Sequence, residues 1–104
     1  MRLYRVTKNN PPIADDMKTH WDLYPERRPV RSKDQAAWKE VSTFVTAELA
    51  ARKARLHKLG EYIAELEVPD TAPMTIKGGH VGLIGTTPDQ LLGMVRNVQP
   101  LDEG

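Results

Sequence analysis

The chain has 104 residues, 39% of them hydrophobic, which is enough for one small domain with a modest core. Its formal net charge of +1 excludes a general polyanion binder, so any nucleic-acid role must rest on a local basic patch. Cysteine is absent, which removes disulfides and thiolate metal sites and fits a reducing cytoplasm.

No apolar run approaches the ~20 residues of a membrane span, and Met1 to Val6 has no secretory pattern. A single globular domain over residues 1–101 is expected, with a frayed acidic tail at 102–104.

Residues 2–7 read as a first strand, with Tyr4 and Val6 on one face and Leu3 and Arg5 on the other. Asn9-Asn10-Pro11-Pro12 forces a loop. Ile13, Met17, His20 and Trp21 make an apolar stripe that predicts a short helix over 13–21. The segment from Leu23 to Lys33 is irregular, broken by Pro25 and Pro29. Ser32 and Gln35 have capping-box spacing, which predicts a helix over 34–39 that turns Trp38 inward.

The next stretch organises the chain as strand, helix, strand. Glu40 to Val45 is β-branched and aromatic, which suits a pleated surface. Thr46 caps a helix over 47–59, and Gly60 is placed to terminate it in the left-handed conformation. Ala47, Ala50, Ala51 and Ala54 share one face of that helix, and Leu49, Leu56 and Leu59 share the opposite one. Either the alanines or the leucines face the sheet. Glu61 to Val68 alternates like a half-buried strand, stopped by Pro69-Asp70.

Met74 to Lys77, a Gly78-Gly79 turn and His80 to Gly85 read as two further strands. Thr87-Pro88-Asp89-Gln90 is a capping box with proline at the first helical position, predicting a helix over 88–94 that buries Leu91, Leu92 and Val95. Arg96 to Gln99 is a last strand, stopped by Pro100. The irregular mixture of elements predicts an α+β fold, with a mainly antiparallel sheet carrying three to four short helices.

Three predicted strands carry, in order, Arg5 after Tyr4, Ser42-Thr43, and Glu65-Leu66-Glu67. In these motifs the sequence resembles the arginine–serine–glutamate class of the ADP-ribosyltransferase superfamily. The resemblance implies an NAD-dependent enzyme, a toxin or defence factor in bacteria. It would have Arg5 on the pyrophosphate, Ser42 on the nicotinamide ribose, Glu67 at the oxocarbenium-like transition state and Glu65 on the acceptor. Phe44 follows Ser-Thr where the family has another serine, and Glu-x-Glu lies inside a strand. The structural alternative leaves Glu65 and Glu67 as solvated side chains, with Arg5 pairing with one of them across the sheet. The chain also resembles short bacterial proteins that begin Leu-Tyr-Arg-Val and continue with Asn-Pro-Pro; this bears on fold alone.

Two basic segments, Arg27, Arg28 and Arg31 in the proline-rich stretch and Arg52 and Arg55 on the central helix, are candidates for nucleic-acid binding, with Trp21, Tyr24 and Trp38 for stacking. His20, His57 and His80 have no metal-ligand spacing, so no metal is expected. The leading expectation is a cytoplasmic binding protein that contacts another protein or a second copy of itself, without a cofactor. The alternatives are the NAD-dependent enzyme and the nucleic-acid binder.

Overall fold

A computed structural model of the protein describes residues 1–101. The frayed tail expected at 102–104 lies outside the described residues. The fold is α+β, as the pattern predicts. Six strands form one sheet: β1 (Arg2–Thr7), β2 (Glu40–Phe44), β3 (Tyr62–Glu67), β4 (Met74–Lys77), β5 (His80–Ile84) and β6 (Val95–Pro100). Their order is β4-β5-β2-β1-β3-β6, and every neighbouring pair is antiparallel. Helices α1 (His20–Leu23), α2 (Ser32–Trp38), α3 (Ala47–His57) and α4 (Pro88–Met94) complete the architecture with two 3-10 turns, Ala14–Met17 and Pro25–Arg27. No helix among the described residues is long and apolar enough to cross a membrane.

Strand alternation divides the core between the two faces of the sheet. On one face Leu3, Val41, Leu66, Val81 and Leu83 pack with Met17 and with Leu91 of α4, all of them buried. On the other, Phe44 and Ile63 pack with Ala50 of α3. The alanine face of α3 therefore meets the sheet: Ala50 and Ala54 are buried, while Leu56 is 68% exposed. Small side chains let the helix axis approach the strands, a fit that leucines would prevent.

The strong local signals produce the expected elements. Thr46 Oγ1 accepts the Leu49 N–H at 3.1 Å and starts α3. Thr87 and Gln90 exchange bonds of 2.9 and 3.2 Å, closing the capping box of α4. Val41 to Phe44 is extended, so a strand separates α2 from α3.

Four local expectations are corrected. Residues 13–21 do not form one helix. A 3-10 turn ends at Met17, and α1 starts afresh behind Thr19, whose Oγ1 accepts the Asp22 N–H at 3.3 Å. The break follows from Asp16, whose buried carboxylate ties this turn to the preceding loop. The Ser32–Gln35 box does not form: Arg31 occupies the N-cap, and the Gln35 side-chain amide donates instead to the Pro29 and Val30 carbonyls at 3.1 and 3.3 Å. Trp38 is only half-buried and packs edge-on against His20, away from the sheet core. Finally, α3 ends earlier than expected. Lys58, not Gly60, adopts the left-handed conformation, with φ 51°. Gly60 serves a different need, since a Cβ there would collide with the Thr7 carbonyl oxygen.

Candidate functional site

The site begins with a gap in the sheet. β1 pairs with β3 at six positions but with β2 only at Tyr4 opposite Phe44. Beyond that contact the two strands splay, and Arg5 bridges them. Its Nε donates to the Asp16 carbonyl and its Nη1 to the Ser42 carbonyl, both at 2.7 Å.

Asp16 holds the other wall. Its carboxylate accepts the Lys8 and Ile13 backbone N–H groups at 2.8 and 2.9 Å and the Asn9 amide at 3.1 Å. These three donors occupy the carboxylate, and only its main-chain oxygen is left for Arg5. Among the described residues no carboxylate forms an ion pair with Arg5. Burial pushes the guanidinium pKa down to about 10, against the opposing attraction of Asp16. A partly desolvated cation without a carboxylate partner is uncommon in a folded core.

Around Arg5 opens a cleft of about 790 Å³, within the range of ligand sites. Glu40, Ser42 and Phe44 enter from β2, and His80 comes from β5 with its ring edge-on to Phe44 at 5.6 Å. Lys53 and His57, one helical turn apart on α3, face the cleft together. Lys8 and Lys58 add positive charge and make no ion pair among the described residues. Three of the exposed aliphatic side chains, Ile13, Leu23 and Leu59, line the same cleft at 49%, 36% and 40% exposure.

The sequence-predicted residues separate. Arg5 and Ser42 do meet in the cleft. Glu65 and Glu67 do not join them: Arg5 stands opposite Ala64, Tyr4 opposite Glu65 and Arg2 opposite Glu67. With a two-residue side-chain period, both glutamates share the face of Ile63, opposite to that of the Arg5 side chain, and neither lines the cleft. There Arg2, not Arg5, approaches them, at 3.8 and 3.9 Å. The cross-strand pairing expected for Arg5 belongs to its neighbour but two.

The basic segments fare similarly. Arg27, Arg28, Arg31, Arg52 and Arg55 all lie outside the Arg5 cleft. Arg28 covers the Trp21 ring at 4.3 Å, joined by Lys39 at 4.5 Å, and Arg27 covers Tyr24 at 5.7 Å. The expected stacking platforms are thus engaged by the chain's own cations. Arg55 donates to the Leu101 carbonyl at 3.1 Å.

Asp16, Glu40, His20 and His80 are cleft residues that sequence reasoning missed. Only Asp16 carried a signal, as an aspartate just after a Pro-Pro loop whose free N–H groups need acceptors. The three histidines line one cleft despite their wide sequence separation. Among the described residues no group of three His, Asp or Glu is placed to hold a metal ion. Comparison of the chain with protein-family models, with curated proteins and with solved structures gave no match.

Proposed function

We propose that this protein works by binding, and that the Arg5 cleft receives an acidic, partly aliphatic segment of another protein. The observation that carries the proposal is the Arg5 guanidinium, partly desolvated and without a carboxylate partner among the described residues. An incoming carboxylate supplies the missing counter-charge through charge-assisted hydrogen bonds. Lys8, Lys53 and Lys58 extend the positive lining, and Ile13, Leu23 and Leu59 offer apolar contact between the charges. That mixture favours a peptide over a single-stranded nucleic acid, whose bases stack on open aromatic faces.

The test is fluorescence anisotropy with a labelled peptide alternating Glu and Leu. Saturable binding is expected, weakened about tenfold or more by Lys53→Glu through loss of one favourable charge contact and gain of a repulsive one. A flat titration at low salt refutes the proposal, as does binding that Lys53→Glu leaves unchanged.

NAD-dependent transfer is favoured by a separate observation, the meeting of Arg5 and Ser42 across the splayed strands. Arg5 and Ser42 fit a dinucleotide's phosphate and ribose. Glu65 and Glu67 do not fit the carboxylate roles, because neither lines the cleft. Glu40 is the glutamate that lines the cleft, and its Oε1 accepts the Thr75 hydroxyl at 2.8 Å. Bound NAD would supply a glycosidic bond whose cleavage develops positive charge, and a carboxylate in reach would stabilise it. Incubation with NAD decides: nicotinamide release abolished by Glu40→Gln supports an enzyme, and no release above buffer refutes one.

A further inference from the structure

We propose that residues 19–39 form a lid over the Arg5 cleft that opens as a unit while the sheet stays folded. In what the lid covers, the proposal rests on the binding function above; its independent opening rests on the fold alone.

The first observation is burial. Not one residue from Lys18 to Lys39 is buried, although the stretch includes two short helices and both tryptophans of the chain. The second is closure of its bonding. The side-chain hydrogen bonds of residues 19–38 run from Arg28 to the Trp21 carbonyl, from Gln35 to the Pro29 and Val30 carbonyls and from the Asp22 amide to Thr19. Its ring contacts are just as local: His20 with Tyr24 and Trp38, Arg27 with Tyr24, and Arg28 and Lys39 with Trp21. Turn and cap backbone bonds also stay inside 19–39. Among the described residues, no hydrogen bond or ion pair ties residues 19–38 to the sheet or to α3 and α4.

The third observation is placement. Thr19, His20, Leu23, Tyr24 and Ala37 line the cleft together with Arg5, Lys53 and His57. The body next to the lid is fastened quite differently, because Asp16 and Arg5 are bonded into β1, β2 and the 8–13 loop. A self-contained segment with little buried surface belongs to the low-stability end of a fold's opening hierarchy. Its ends, Lys18 and Lys39, are the natural hinges, and opening it breaks only van der Waals contact with the body.

Because Trp21 and Trp38 are the only tryptophans, their fluorescence reports the lid, while far-UV circular dichroism reports the sheet and α3. In thermal unfolding of the whole chain, the fluorescence midpoint is expected at least ~5 °C below the dichroism midpoint, a separation that two-state unfolding forbids. Trp38→Ala should lower the remaining Trp21 transition further and leave the dichroism midpoint within ~2 °C, because residues outside a cooperative unit do not share its stability. Saturating Glu-Leu peptide should raise the fluorescence midpoint toward the other.

Coincident midpoints in the free protein overturn the lid, as does a Trp38→Ala variant whose sheet melts earlier by the same amount. So does peptide that shifts the amide resonances of Lys53 and His57 yet leaves the early transition in place. Separate midpoints with no peptide response at Lys53 or His57 leave the lid standing and refute the proposed ligand instead.

Discussion

Asp16 joins the fold to the site, and its removal gives the most informative single substitution. The carboxylate accepts two backbone N–H groups and one side-chain amide at 2.8 to 3.1 Å and is only 8% exposed. Asp16→Ala leaves those donors without their acceptor. Bonds to a charged acceptor reach ~1.5–3 kcal/mol each, but these donors are part-buried and water can reach some of them. Taking about 1 kcal/mol per bond gives a loss of about 3 kcal/mol. In a domain of this size that lowers the melting midpoint by about 12 °C or more. Differential scanning calorimetry measures it. Asp15→Ala is the internal control: its ion pair with Lys18, at 2.8 Å, is solvent-exposed, so the loss should stay within ~1 kcal/mol. The same Asp16→Ala protein should bind the Glu-Leu peptide more weakly, since the displaced turn no longer seats Arg5 Nε. An Asp16→Ala midpoint within about 3 °C of the parent protein, or an Asp15→Ala loss as large, refutes the hub.

Five further substitutions have outcomes expected from the packing. Lys58→Gly should raise stability by about 0.5–1 kcal/mol in urea titration, because glycine relieves the left-handed backbone at φ 51°; Gly60→Ala should lower it by about 2 kcal/mol through collision with Thr7. Ala50→Leu should cost about 1–3 kcal/mol by forcing α3 off the sheet, whereas Leu56→Ala, on the exposed side, should change stability by less than about 0.5 kcal/mol. Leu91→Ala should cost about 2–5 kcal/mol, since a fully buried side chain between α4 and the sheet leaves a cavity.

The sequence by itself determined the elements whose cause is local. Thr46 and Thr87 cap helices because their hydroxyls reach N–H groups three residues on, a distance within any chain's own reach. The β-branched run at Val41 and the alternation after Glu61 made strands for the same reason, and the α+β class followed from their order. Where two local signals competed, the sequence was silent or misleading. Ser32 and Gln35 spell a capping box, yet the nearby Pro29 and Val30 carbonyls took the Gln35 amide. Gly60 could terminate a helix, but the requirement it met came from Thr7, more than fifty residues away in sequence.

Only tertiary structure decided which residues share a site. Sheet order sets β1 between β2 and β3, and register sets the face that each side chain takes. One residue of register separates Ala64, opposite Arg5, from Glu65, so long-range pairing alone decides whether Arg5 or its neighbour stands across from a glutamate. The gathering of Arg5, Lys53, His57 and His80 arises likewise from strand splay and from the alanine face that draws α3 onto the sheet. Neither is written in the spacing of those four residues, because each is fixed by what packs against it.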